Sequence, residues 1–190
     1  MLNFLFIVLQ YLILIVLIIT LTSFILWSIG NFKNRVPFVT SPMAVLKSIG
    51  EALLIKDNSI VYDLGCGDAR VLFYLSHLNK KAKYIGIENT IFTLLLSRIG
   101  SFFNKKKEGV SVEIINNDFF KQDLSDATHI FVYLHPTILD ELLPKFKKEL
   151  KPGTRLVSLS FKFRDQKPID EIDLKRNKYK LGRKLYVYQF

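Results

Sequence analysis

The sequence predicts an α/β fold, a doubly wound and mostly parallel sheet, preceded by one N-terminal transmembrane helix. Three observations carry this expectation. Residues 1–30 hold no charged side chain. From residue 43 onward, apolar runs of strand length alternate with helical patterns, the signature of a parallel sheet built from strand–helix–strand units. The stretch Val61-Tyr62-Asp63-Leu64-Gly65-Cys66-Gly67-Asp68-Ala69-Arg70 is entered by an apolar run and left by a helical pattern, and the next apolar run ends on an acid, Glu88. Strand, glycine-rich turn, helix, strand and acid together cradle an adenosine-containing cofactor at the carboxyl edge of such a sheet.

The apolar core of the first segment, residues 4–27, interrupted only by Gln10, Thr20, Thr22 and Ser23, exceeds the ~20 residues that cross a bilayer. A cleaved signal peptide is the competing reading. No basic region precedes the run, the run is too long, and Ser28-Ile29-Gly30 is a loose match to a cleavage site. Lys33 and Arg35 follow the span directly, so the positive-inside rule puts the domain on the cytoplasmic side with Trp27 near that interface. Residues 31–36 form a connector that reaches about 20 Å when extended. Residues 37–190 then make one domain, long enough for a sizeable core.

In that domain, Pro37-Phe38-Val39-Thr40-Ser41-Pro42 places two prolines around a hydroxyl-bearing turn. Residues 43–54 carry apolar side chains at helical spacing, as a helix packed on the sheet would. The first strand covers 60–64, the first helix of the sheet unit 68–79, and the second strand 83–88. Helical spacing over 90–103 is followed by a polar turn at 104–109. A third strand spans 110–116, with Asp118, Phe119 and Phe120 after it. Residues 128–134 read as a continuous apolar central strand. The helix over 136–149 contains Pro144, which predicts a kink or a break. A fifth strand covers 154–161, and two more fall within 169–190 around Lys180-Leu181-Gly182.

Lys plus Arg number 27 against 17 Asp plus Glu, a net charge of +10. Such a surface attracts nucleic acid or an anionic membrane face. The basic clusters at 105–107, 145–151 and 175–184 fall mostly at turns and helix ends, and no repeated aromatic platform accompanies them. An anionic membrane surface is therefore the expected partner, and nucleic acid is not. Cys66 is the one cysteine, which excludes an internal disulfide and a multi-cysteine zinc site, and no metal is expected.

Two details choose the cofactor. A dinucleotide turn needs a third glycine where this chain has the bulky Arg70. Asp63, ending the first strand, would repel a pyrophosphate and attract a cationic amino-acid end. S-adenosylmethionine has such an end and no phosphate.

These residues resemble the first motif of class I S-adenosylmethionine-dependent methyltransferases, which implies the family's seven-stranded, Rossmann-like methyltransferase sheet. The resemblance implies that Gly65 and Gly67 let backbone approach the cofactor and that Glu88 binds the ribose hydroxyls. It further implies that Asp118 accepts from the adenine amino group and that Phe119 lies against the ring. The proline-bracketed segment with Phe38 and Thr40, the preceding span, and Ile130-Phe131-Val132-Tyr133-Leu134-His135-Pro136 are similar to the small membrane-anchored protein-lysine methyltransferases. That similarity implies a lid from the 37–42 segment, a lysine of a membrane or membrane-associated protein as acceptor, and a catalytic domain in the cytoplasm or mitochondrial matrix. Residues 130–161 are also similar to non-SET histone lysine methyltransferases, but the asparagine of that family's turn is absent. So is the Asn/Asp-Pro-Pro-Tyr/Phe of the adenine- and glutamine-directed enzymes.

Tyr133 and His135, at the end of the fourth strand, are the expected catalytic residues. Tyr133 is expected to wall the acceptor slot and orient the amine, the alternative being a core aromatic. His135 is a proton acceptor or simply a helix-start residue before Pro136. His77 and His129 are expected to be structural, Asp68 to favour a helix amino end, and Cys66 only to be small. Two other functions stay open: methylation of a lipid head group or lipophilic small molecule, and a non-catalytic cofactor-binding membrane protein.

Overall fold

A computed structural model of the chain describes residues 2–33, 39–174 and 183–190. The chain divides into two compact units, Met1–Pro37 and Phe38–Phe190. The first carries helix α1, Leu2–Lys33. Within it Phe4–Ile25, 22 residues of mean hydropathy 3.0, is long and apolar enough to cross a bilayer. Two of its hydroxyls bond within the helix: Thr20 donates to the Leu17 carbonyl at 2.9 Å and Thr22 to that of Ile18 at 2.8 Å. The helix continues past residue 30 to Lys33, and Phe38, with the rest of the expected connector, lies outside the described residues.

In the second unit, seven strands among the described residues form one sheet. They are β1 Ile60–Leu64, β2 Lys83–Glu88, β3 Val112–Asn116, β4 His129–Val132, β5 Arg155–Leu159, β6 Asp170–Asp173 and β7 Lys184–Gln189. Their order is β3-β2-β1-β4-β5-β7-β6. β1 to β5 pair in parallel, and β7 runs antiparallel to both β5 and β6. The sheet carries α2 Leu46–Leu53, α3 Arg70–Leu78, α4 Ile91–Glu108 and α5 Pro136–Glu149. From β1 the chain winds outward through β2 to β3, then returns to build β4 and β5 on the other side. Right-handed crossovers therefore put α3 and α4 on one face and α5 on the other. The carboxyl ends of β1 and β4 border the point of reversal, where such sheets open their ligand crevice.

The helical stripe predicted for 43–54 is real. A short 3-10 turn, Met43–Val45, leads into α2, which buries Leu46, Ile49, Ala52 and Leu53. Central strands are apolar on both faces and bury Val61, Ile85, Ile87, Ile130 and Phe131.

Two local expectations are corrected. The polar stretch 104–108 is the end of α4, not a turn. Its lysines are good helix formers, and their charge suits a helix carboxyl end. Gly109, at φ 74°, is the residue that stops the helix. Pro144 neither breaks nor divides α5. Its ring is on the exposed side, so the carbonyl left without a helical donor can be hydrated.

Candidate functional site

The glycine turn leaves β1 through three left-handed residues in five: Gly65 at φ 74°, Gly67 at 56° and Ala69 at 60°. Gly65 is closely packed as well as left-handed. A Cβ there would stand 3.3 Å from Leu134 and 3.9 Å from the Phe119 ring. One glycine thus brings the segments after β3 and β4 against the end of β1. Ala69 occupies a conformation that favours glycine and is fully buried. Composition gave no hint of this, because alanine ordinarily avoids that region at a cost of about 1–2 kcal/mol. The Ala69 N–H donates to the Cys66 carbonyl at 2.8 Å, which closes the turn.

Glu88, at the end of β2, ties the turn to the next element. Its Oε2 accepts from the Gly67 N–H at 3.0 Å, and its Oε1 from the N–H groups of Asn89 at 2.9 Å and Thr90 at 2.8 Å. Oε2 has capacity left for a ligand hydroxyl. Asp68 is held by Arg70, whose Nε reaches both carboxylate oxygens at 2.9 and 3.0 Å while Nη2 reaches Oδ2 at 2.5 Å. The Arg70 Nη1 also lies 3.5 Å from the Ser41 carbonyl. This places the start of the domain, with half-buried Thr40, beside the glycine turn.

Asp63 differs from both. It is buried close to two other acids, Glu88 and Asp68. Burial pushes its carboxyl well above the usual range, and the neighbouring Glu88 and Asp68 push the same way. A buried acid beside two other acids suits a cationic ligand group and rejects an anionic one.

After β3, Asp118 caps its own turn: Oδ1 accepts from the Phe120 N–H at 2.9 Å, and its carbonyl accepts from Lys121 and Gln122. Phe119 is half-buried beside Phe120, ring centroids 5.1 Å apart, and faces the space over Gly65. The structure therefore gathers Asp63, Gly65, Gly67, Glu88, Asp118 and Phe119 at one edge.

Tyr133 and His135 follow β4 at the same edge and meet a residue that sequence reasoning passed over, Phe161. The Tyr133 and Phe161 rings stack at 6.3 Å and 22°, and His135 approaches Phe161 at 6.2 Å. Phe161 was hidden at the end of a predicted strand. β5 in fact stops at Leu159, and Ser160, at φ 70°, turns the chain so that Phe161 faces Tyr133. Burial raises the Tyr133 phenol, partly offset by a hydrogen bond to Ser160, so the hydroxyl keeps its proton. His135 is the residue before α5, and its Nδ1 accepts from the Thr137 N–H at 3.4 Å.

Of the other predicted bystanders, Cys66 is packed into the fold, His129 is half-buried and His77 is exposed. Cys66 is buried, and burial followed by Asp63 and Glu88 raises its thiol far from thiolate formation. Its Sγ would stand 2.6 Å from a Cβ on Gly86, so the turn presses directly on β2. His77 pairs with Asn104 at 3.3 Å, and His129 with Thr128 at 2.8 Å. No group of His, Cys, Asp or Glu side chains among the described residues could hold a metal. A cavity of about 440 Å³ bordered by Lys56, His129, Lys151 and Arg155 opens at the amino edge of the sheet, the end opposite Gly65 and Glu88.

S-adenosylmethionine fits the carboxyl edge. A Cβ on Gly65 would press on Leu134 at 3.3 Å, and buried Asp63, close to Glu88 and Asp68, matches a cationic end.

The comparisons agree. The ANTKMT methyltransferase domain matches residues 63–170. A protein-lysine N-methyltransferase of Saccharolobus islandicus is 33% identical over 161 residues, 83% of this chain and 96% of the relative. The adenine nucleotide translocase lysine N-methyltransferase of Mus musculus is 26% identical over 139 residues, 72% of this chain and 58% of that one. Among solved structures, an RNA methyltransferase from Salinibacter ruber in complex with S-adenosyl-L-homocysteine superposes with a TM-score of 0.71. It is 27% identical, and the match covers 80% of this chain and 93% of that one. The chain belongs to the ANTKMT methyltransferase-domain family of S-adenosylmethionine-dependent protein-lysine methyltransferases.

Proposed function

We propose that this methyltransferase is anchored in a membrane by residues 1–30, with residues 31–36 as connector and 37–190 as catalytic domain. We propose that it N-methylates a lysine of a membrane or membrane-associated protein from the cytoplasmic or matrix side. The observation that carries the acceptor is the Tyr133–Phe161 stack, which adjoins the cofactor turn through Leu134. The relatives named for lysine methylation support the same reading, and α1 supports the anchor.

In this reading Asp63 faces the cofactor's ammonium group and Gly65 and Gly67 admit its backbone-lined cradle. Glu88 accepts from the ribose, Asp118 and Phe119 hold the adenine, and Phe38 and Thr40 close over the top. The bound cofactor supplies an electrophilic methyl on a sulfonium. The rest falls to the chain. The lysine amine must arrive neutral, with its lone pair aligned, and alignment supplies most of the rate. Between Tyr133 and Phe161 the ammonium form loses water, which lowers its pKa. The aromatic faces tolerate the charge until the proton leaves. The Tyr133 hydroxyl, protonated, orients the amine. The His135 Nδ1 is engaged by the Thr137 N–H. In this reading His135 starts α5 and backs Phe161, and the amine's proton passes to water.

Incubating the full chain with methyl-labelled S-adenosylmethionine and membranes should place label in N-methyl-lysine of a membrane-fraction protein. Label in extracted lipid or in RNA would overturn the acceptor assignment. Phe161→Ala should lower kcat roughly ten- to a hundredfold, the scale of lost positioning, with cofactor affinity unchanged. A fall in affinity alone would remove Phe161 from the acceptor slot.

A further inference from the structure

Helix α4 is built inside out. Apart from buried Leu94, the side it turns toward the protein is small and polar: Thr93, Ser97 and Asn104 are buried, with Gly100 and Ser101 half-buried. Each polar group there has a partner. Thr93 donates to the Thr90 carbonyl at 3.1 Å and Ser97 to that of Leu94 at 2.9 Å. Ser101 donates to the Val112 carbonyl, and Asn104 donates to Ser76 and to the Val110 carbonyl at 3.2 Å each. A Cβ on Gly100 would stand 2.6 Å from the Phe73 ring, so only glycine lets α4 lie this close to α3. The helix cannot roll to hide another side.

Its outer side is apolar. Ile91, Leu95, Leu96, Ile99, Phe102 and Phe103 are 41% to 66% exposed. The spacing of 91, 95, 99 and 102 makes one continuous stripe. Arg98 lies among these residues and Lys105, Lys106 and Lys107 follow them, all exposed. An apolar stripe with cations on the same helix is the composition of a helix that lies in a membrane interface.

We propose that the outer face of α4 is a second membrane-contact surface, seated in the headgroup–acyl boundary of an anionic leaflet. This rests on the reading that α1 is embedded in that bilayer. The cations of α4 and the net charge of +10 favour an anionic surface. A second copy of the chain would set the same cations against each other. α4 starts three residues after Glu88, at the carboxyl edge of the sheet. Docking α4 therefore holds the methyl-transfer edge near the lipid surface and restricts acceptors to lysines close to it.

The test uses the full chain in vesicles of phosphatidylcholine with phosphatidylglycerol. Single cysteines replace Ile99 or Phe102 on α4, Leu14 in α1, or Lys147 on α5, and each carries a nitroxide. Buried Cys66 stays in place. Collision with oxygen, relative to a water-soluble nickel complex, reports depth. The expected result is a several-fold higher ratio at 14, 99 and 102 than at 147, with 99 and 102 falling back in phosphatidylcholine alone. If 99 and 102 match 147 while 14 is in hydrocarbon, the anchor stands and this proposal is overturned. If 14 is aqueous, the anchor fails. Spin–spin broadening between α4 labels would assign the face to a second copy and overturn the proposal too. Leu95→Asp with Ile99→Asp, at exposed positions, should abolish the lipid-dependent depth at 102 while leaving cofactor affinity unchanged.

Discussion

Asp63→Asn weakens S-adenosylmethionine binding about a hundredfold and abolishes the proton release that accompanies binding to the native chain. The Asp63 carboxyl is held well above the ordinary carboxylate range, first by burial and then by Glu88 and Asp68. It is therefore protonated in a pH window that opens near the usual value of about 4 and extends upward. A cationic ligand group favours the ionised carboxylate, so binding expels the proton and affinity rises with pH through that window. Losing one partner of a buried charge pair costs about 2–5 kcal/mol, and the lower part of that range, about 2.8 kcal/mol, is roughly a hundredfold in Kd. Stability moves the other way. The folded carboxyl binds its proton more tightly than the unfolded one, so its contribution is full below the unfolded pKa and is lost as pH rises toward the folded value. Asparagine has the same shape and no charge, so it flattens that slope and keeps the fold. Calorimetry in buffers of different ionisation heat counts the proton. An unchanged affinity, with release still present, would move the counter-charge to another residue.

The same residue shows how far the sequence is readable. A carboxylate ending the first strand, two glycines and a distant acid state a local chemistry, and each sits where strand geometry must put it. The sheet follows from the alternation of apolar runs and helical stripes, because burial on two faces leaves that pattern in the chain. The antiparallel seventh strand was not separately legible, since β7 alternates no differently from an edge strand of either sense. Phe161 escaped because its position depends on a left-handed Ser160, a conformation that serine does not advertise. α4 misleads in the opposite way. Its stripe predicts a helix correctly, but the inward side is decided by Gly100 against Phe73 and by the hydrogen bonds of Asn104. Those contacts join residues distant in sequence, and periodicity carries no sign for inside and outside.

Glu88→Gln tests the other end of the site and separates it from Asp63. The native carboxylate serves two masters: Oε2 holds the Gly67 N–H, and Oε1 holds those of Asn89 and Thr90. A glutamine amide has one accepting oxygen and one NH₂ group that can only donate. Whichever way it turns, either the glycine turn or the start of α4 loses its acceptor and faces a donor. A hydrogen bond to a charged group contributes about 1.5–3 kcal/mol, so the variant should lose about 2 kcal/mol of stability. For a domain of this size that lowers Tm by roughly 4–8 °C. The unhooked turn no longer presents the ribose acceptor, and S-adenosylmethionine affinity should fall at least about a hundredfold, a loss of ~3 kcal/mol. Adenosine, which has the ribose but no ammonium, distinguishes the two variants. Glu88→Gln should weaken adenosine and S-adenosylmethionine alike, whereas Asp63→Asn should weaken S-adenosylmethionine and spare adenosine. Adenosine binding that survives Glu88→Gln unchanged would take the ribose away from Glu88 and leave it the structural task of joining β1's turn to β2.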